Sequence, residues 1–183
     1  MGDTLVQEGF TLWFTGWSGA GKTTLAIEIE KALRELGTPY VQRLDGDIVR
    51  EDLTRDLGFS KQDRNENIRR VAFVASLLSR NGVATLVSFI SPYREARDNA
   101  RASCHNFIEV YVKCDPDVLI SRDVKGFYKK ALKGEIQNFT GIDDPYEEPP
   151  NPEIIVDTGT MSVEDARDVI IRYVKEKKLI RCS

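Results

Sequence analysis

Residues 16–23 read Gly16-Trp17-Ser18-Gly19-Ala20-Gly21-Lys22-Thr23, and the reading of this stretch decides the fold. It fits the pattern G-x-x-x-x-G-K-[S/T] in full. A polyphosphate needs several N–H donors converging on it. The backbone around it must therefore be free of bulky side chains and able to take positive φ, which glycine allows. The helix that follows aims the positive end of its dipole at the same charge. Lys22 adds a mobile cation for the β and γ phosphates, and the Thr23 hydroxyl suits a Mg²⁺ ion bridging their oxygens. Chance matches to the pattern number about 0.006 in a chain of this length, too few to favour a merely structural glycine turn. The residues expected on the nucleotide are Gly16, Ser18, Gly19, Ala20, Gly21, Lys22, Thr23 and Thr24, with Lys22 also catalytic and Thr23 also the metal ligand.

The flanks agree with that reading. Before the loop, residues 11–15 (TLWFT) form a strand candidate, and after it Leu25, Ile29, Leu33 and Leu36 recur at three- and four-residue steps along one helix face. Gly37 is placed for a left-handed cap and Pro39 prevents continuation. A second strand at 40–44 runs into Asp45-Gly46-Asp47. A long helix over 63–80 carries Ile68, Val71, Ala75 and Leu78 on one side and stops at Asn81-Gly82. The run 83–90 (VATLVSFI) is almost wholly apolar, as a strand covered on both faces should be. Strands are also expected at 107–112 and 153–156, and Ser162 with Asp165 forms a capping box for the last helix. The alternation predicts an α/β fold of the P-loop NTPase type, a parallel five-stranded sheet with helices on both faces. One domain spanning 1–183 is expected.

Bulk properties narrow the partners. With 26 basic and 29 acidic residues the net charge is −3, so nothing global attracts nucleic acid or acidic lipid and an anionic ligand needs a local basic cluster. Cys104, Cys114 and Cys182 match no metal signature, and the lone His105 cannot build a usual zinc site, so reduced thiols are expected. No apolar run approaches the ~20 residues that span a bilayer, and residues 1–10 lack a signal-peptide core, which points to the cytoplasm.

Two further regions bear on chemistry. Asp45-Gly46-Asp47 ends the second strand, and ligands of open α/β sheets gather at the carboxyl ends of strands. Asp47 is the candidate base for an acceptor hydroxyl and Asp45 the candidate on the metal side; alternatively Asp47 caps a helix starting at Ile48. Arg50 follows within that helix. Arg64 and Asn67 share a helical face, suiting a phosphate, sulfate or sugar partner, or else forming part of a solvated charged face. The strand ending at Ile90-Ser91 offers an apolar edge followed by polar groups. Residues 125–152 show little periodicity, which in a compact domain marks a mobile lid. Lys125, Lys129, Lys130 and Lys133 with Phe127, Tyr128 and Phe139 would make it basic and aromatic, with a solvated lysine face of an ordinary amphipathic helix as the alternative for the distal lysines. The chain has neither the N-K-x-D of GTPases nor the L-S-G-G-Q of transport ATPases, so these features indicate a kinase acting on a small acceptor.

The blocks GWSGAGKTT at 16–24, LDGD at 44–47, DLGFSKQDRNENIRR at 56–70, FISPYR at 89–94, RDVKGFYKKA at 122–131 and FTGIDDPYEEP at 139–149 resemble the adenylylsulfate kinase family. The resemblance covers residues 9–156. It implies that ATP phosphorylates the 3′-hydroxyl of adenosine 5′-phosphosulfate with Mg²⁺, giving 3′-phosphoadenosine 5′-phosphosulfate and ADP. It also implies that Phe59 and Phe139 sandwich the acceptor adenine, and that Arg50, Arg64 and Asn67 hold its phosphosulfate or ribose. Ile90 and Ser91 would border the acceptor, Lys125 and Phe127 would approach it from the lid, and Asp45 and Asp47 would face its 3′-hydroxyl. Arg122 and Thr158 would lie beside the adenine of ATP. Family members are commonly dimers, which implies a homodimer, and any ATP sulfurylase partner would be a separate chain. Ile48 departs from the asparagine frequent there, and Trp17 and Phe127 replace more usual leucines. The alternatives are another metabolite or nucleoside monophosphate kinase on the same scaffold, or a regulatory nucleotide-binding module. The last would be expected to lose Lys22, Asp47 or the phosphate glycines, and all are present.

Overall fold

The computed structural model describes residues 8–123 and 126–180. Lys125 and Cys182 lie outside the described residues. Five strands, β1 (Phe10–Thr15), β2 (Val41–Asp45), β3 (Ala84–Ser88), β4 (Phe107–Lys113) and β5 (Ile154–Asp157), pair in the order β2-β3-β1-β4-β5. Every pairing is parallel, as the βα rhythm requires, because a parallel neighbour can be reached only through a crossover. The expected strands are all present, with ends shifted by one or two residues.

The strand β1 shows why helices cover both faces. Its side chains alternate, and Phe10, Leu12 and Phe14 pack into one apolar cluster while Trp13 enters another. The first cluster is roofed by α1 (Lys22–Glu35), through Leu25, Ile29 and Leu33, and by α7 (Val163–Glu176), through Ala166, Ile170 and Val174. The second is roofed by α3 (Lys61–Arg80) and α4 (Arg94–Ser103), through Ile68, Val71, Ala75, Ala96 and Ala100.

Two helix starts differ from the sequence expectation for one reason, capping. The helix expected at 63–80 begins at Lys61, because the Ser60 hydroxyl accepts from the Asp63 N–H at 3.1 Å. The same arrangement of Ser162 and Asp165 opens α7, as anticipated. The short helix α2 (Gly46–Glu51) starts before Ile48, and its cap is Asp45 rather than Asp47. Three helices gave no clear sequence signal: α4, α5 (Pro116–Arg122) and α6 (Phe127–Leu132). In α4 the buried face is Ala96, Arg97 and Ala100, which lacks the large aliphatic residues that reveal a helical period.

The aperiodic segment divides into two parts. After α6 the chain is irregular, but from Phe139 onward it is wedged against the carboxyl end of the sheet. Gly141 lies so close to Trp17 that a Cβ there would come within 2.2 Å of the indole ring. The Tyr146 hydroxyl meets Thr15 Oγ1 at 2.9 Å. Arg97, almost fully buried, fastens this return. Its guanidinium donates to Glu109 Oε1 at 2.8 Å, to the Ser91 carbonyl at 2.5 Å and to the Glu147 carbonyl at 2.6 Å. One side chain thus joins β4, the turn after β3 and the end of the aperiodic segment. Arg97→Met strips the buried Glu109 carboxylate of its main counter-charge. It should cost about 3–5 kcal/mol in urea unfolding.

Candidate active site

The phosphate loop connects β1 to α1 at the carboxyl edge of the sheet. Gly16, Gly19 and Gly21 all take positive φ, and at Gly16 the constraint is also steric, since a Cβ would lie 2.3 Å from the Val112 carbonyl oxygen. Lys22 is buried and folds back over its own loop, donating to the carbonyls of Gly16 at 2.8 Å and Trp17 at 2.6 Å. Its ammonium is therefore held over the cradle. Thr23 and Thr24 stand exposed in the first turn of α1.

Residues expected beside ATP gather on one flank. Thr158 donates to the Ala20 carbonyl at 2.9 Å, and Arg122 donates to the Thr158 carbonyl at 3.3 Å. Arg122 and Phe127 also line a small recess with Ser18, Gly19 and Tyr128. Phe127, expected at the acceptor, thus sits against the phosphate loop. Tyr128 donates to the Ser18 carbonyl at 2.8 Å, and burial pushes its phenol up to about 12, so it remains a donor across the physiological range.

The acceptor-side carboxylates reach the same place from the far side. Although β2 is an edge strand, the Thr23 hydroxyl donates to Asp45 Oδ2 at 2.7 Å, while Asp45 Oδ1 accepts the Asp47 N–H at 3.1 Å. Both oxygens of the buried Asp45 are committed. Capping is thus done by Asp45, and Asp47 stands exposed in the first turn of α2 beside it.

Next to this pair lies a cationic and aromatic cluster. The Arg50 guanidinium sits 4.5 Å from the Phe59 ring centroid, and that of Arg64 sits 5.7 Å from the same ring. Burial, and after it the Arg64 charge, lowers the proton affinity of Arg50, with Asp63 and Asp47 opposing. Arg64 is buried and donates to the Phe59 carbonyl at 2.9 Å and to the Asn138 carbonyl, so it joins Phe59 to the segment carrying Phe139. Phe139 packs edge-on against Tyr128 with ring centroids 5.0 Å apart. Asn67 is buried one helical turn beyond Arg64, and among the described residues its Oδ1 has no hydrogen-bond partner. Ile90 and Ser91 follow the end of β3, where the Ile90 carbonyl accepts from Thr15 Oγ1 at 2.7 Å. Ser91 is held at φ +47°, with its Oγ accepting from Trp13 Nε1 at 3.1 Å. Such a backbone costs on the order of 1–3 kcal/mol and persists because Trp13 and Arg97 hold it.

Sequence reasoning passed over two members of this neighbourhood. Tyr93 donates its hydroxyl to Asp144 Oδ1 and Oδ2 at 2.8 and 3.0 Å, and Asp144 Oδ2 lies 3.5 Å from Arg64 Nε. Burial, reinforced by the Asp144 carboxylate, raises the Tyr93 phenol to about 12. Their sequence blocks were visible, but only the fold brings positions 64, 93 and 144 together.

A parallel sheet in this order, a glycine-rich phosphate loop at its centre and carboxylates at the carboxyl end of the edge strand β2 define a P-loop kinase. The chain belongs to the adenylylsulphate kinase family, whose model matches residues 8–157. An adenylyl-sulfate kinase of Halothermothrix orenii is 59% identical over 174 residues, covering 95% of this chain and 94% of that one. The APS kinase of Mycobacterium tuberculosis, solved in complex with AMPPNP and APS, superposes with a TM-score of 0.87 at 41% identity, covering 92% of this chain and 98% of that chain. A gluconokinase from Sinorhizobium meliloti has a TM-score of 0.60 at 17% identity, covering 95% of this chain and 98% of its own, a likeness of fold alone.

The contact at Gly16 generates a direct expectation. Gly16→Ala forces the loop away from Val112, and calorimetry should show AMPPNP binding weakened by at least about tenfold, the equivalent of ~1.4 kcal/mol.

Proposed function

We propose that this chain transfers the γ-phosphoryl group of ATP to the 3′-hydroxyl of adenosine 5′-phosphosulfate, releasing 3′-phosphoadenosine 5′-phosphosulfate and ADP. The observation that carries the reading is the 2.7 Å contact between Thr23 and Asp45, which ties the phosphate cradle to the acceptor-side segment. The names of the relatives support the choice of acceptor.

In this reading the loop amides of residues 16–24 and the Lys22 ammonium receive the ATP phosphates. Arg122, Thr158 and Phe127 border the adenosine end. The acceptor lies over Ile90 and Ser91, with its adenine between Phe59 and Phe139, its anionic groups on Arg50 and Arg64, and a ribose hydroxyl donating to Asn67 Oδ1. Asp47 takes the proton of the 3′-hydroxyl as the new O–P bond forms and the bond to ADP breaks. Lys22 then follows the transferred charge, and an interaction that strengthens in the transition state lowers the barrier.

The residues fit Mg²⁺. Thr23 donates its proton to Asp45, which leaves its lone pairs for a hard cation, while the committed Asp45 oxygens suit a role through water. Among the described residues no group of three or more His, Cys, Asp or Glu could hold a metal, so phosphate and water must supply the remaining ligands, as Mg²⁺ prefers. When bound, the ion neutralises charge on the β and γ oxygens.

The proposal extends to one kinase domain over 1–183 with a closing lid that includes Lys125 and the lysines of α6. The pinned return from Phe139 supports a lid whose moving part ends near residue 138. A cytoplasmic homodimer is also proposed, with any ATP sulfurylase a separate chain and no nucleic-acid or membrane partner. No helix among the described residues is long and apolar enough to cross a membrane, and exposed Phe73 and Leu77 offer apolar surface for a second copy.

An acceptor panel with product identification tests the reaction. Turnover with a nucleoside monophosphate but not with adenosine 5′-phosphosulfate would overturn it. Lys22→Ala should lower kcat by at least about 100–1,000-fold. Asp47→Asn should lower kcat by about 100-fold or more with nucleotide affinity nearly unchanged, and normal turnover would remove its assigned role.

A further inference from the structure

The Arg64 guanidinium is held by groups that the proposed reaction does not use. Its Nε–H donates to the Phe59 carbonyl and lies 3.5 Å from Asp144 Oδ2, while Nη2 donates to the Asn138 carbonyl. The carboxylate in turn receives the Tyr93 hydroxyl on both oxygens. Next door, Asp143 holds the turn together, accepting the Asn138 N–H at 2.7 Å and the Phe139 N–H at 2.5 Å. Arg50 and Arg64 share the Phe59 ring. Arg50 feels the positive charge of Arg64, with Asp63 and Asp47 opposing, and a carboxylate close to Arg64 offsets part of the same repulsion.

From this juxtaposition we infer that Asp144, steadied by Tyr93, is a positioning residue that acts through Arg64, presetting the guanidinium for the acceptor's anionic group and docking the Phe139 segment in the same step. The inference rests on the proposed reaction. Its chemistry is that of preorganisation. A guanidinium that already points into the pocket loses less freedom when the anion arrives. The negative charge on Asp144 offsets the mutual repulsion of Arg50 and Arg64 before the ligand does so. Because Asn138 and Phe139 belong to the same turn, loss of Asp144 loosens the aromatic wall together with the cation. Its side-chain contacts are with Arg64 and Tyr93, both outside the phosphate loop, so the affinity for ATP should change far less than that for the acceptor.

Three variants test this: Asp144→Asn, Tyr93→Phe and Asp144→Asn combined with Arg64→Ala. Asp144→Asn keeps the shape and removes the charge. It should raise KM for adenosine 5′-phosphosulfate by about 5–20-fold, leave KM for ATP within about twofold and change kcat less than the acceptor KM. Tyr93→Phe should shift the same parameter in the same direction by a smaller factor. In the Arg64→Ala background Asp144→Asn should add less than about twofold, because its target is gone. The inference is overturned if Asp144→Asn leaves the acceptor KM unchanged. It is also overturned if the two substitutions multiply, or if KM for ATP rises equally while the unfolding temperature drops. A wild-type protein that ignores adenosine 5′-phosphosulfate would instead sink the parent reaction, so the two failures are separable.

Discussion

A phosphoryl donor and an alcohol acceptor react only when one rigid frame holds both, and here the frame closes at a single hydrogen bond. The Thr23 hydroxyl belongs to the phosphate loop and Asp45 to the edge strand β2, with β3 between β2 and the strand that feeds the loop. The contact therefore crosses from the centre of the sheet to its margin. It orients the hydroxyl, occupies the carboxylate and fixes the start of α2, because the same Asp45 side chain caps that helix. Asp47 inherits its place from this arrangement. A capping interaction worth about 1 kcal/mol in stability thus sets the geometry of a proposed catalytic group.

The cationic side of the site is built on a different balance. Two guanidinium groups over one aromatic ring would drift apart in water, yet Arg64 is buried and anchored by two carbonyls with a carboxylate close by. Burial of a charge is tolerated only with such partners. The consequence is a guanidinium fixed by the protein's own groups. The anchoring carbonyl of Asn138 and the Asp144 carboxylate come from the turn around Phe139, so the cation and the aromatic wall are organised by the same few residues.

Behind both lies the buried Arg97. It ties β4, the strained turn at Ser91 and the carbonyl of Glu147 into one unit, and the network extends from Glu109 to Arg101 at 3.3 Å and from Arg101 to Glu153 at 2.6 Å. Ion pairs of this kind add little net stability over an apolar core, but they impose one arrangement on the groups they join. Here they hold the turn at Ser91 and the end of the aperiodic segment in fixed relation.

Much of this was legible in the residues. Strand count, parallel pairing and helices on both faces followed from short apolar runs separated by helical periods. The phosphate cradle followed from eight residues whose types leave few alternatives. Ordered blocks pointed to the adenylylsulphate kinase family, which the match over residues 8–157 bears out. Helix starts were less legible, because a serine or aspartate cap competes over two or three positions, as Asp45 and Ser60 did. The helix α4 escaped notice because alanine and a buried arginine replace the usual aliphatic stripe. Which residues touch across long separations could not be read at all. The meeting of Arg64, Tyr93 and Asp144, the wedge of Gly141 against Trp17 and the shift of Phe127 toward the phosphate loop depend on how segments far apart in the chain pack. Local sequence determines local hydrogen bonding and periodicity, whereas such contacts are decided only when burial of the two apolar faces brings the carboxyl ends of the strands together.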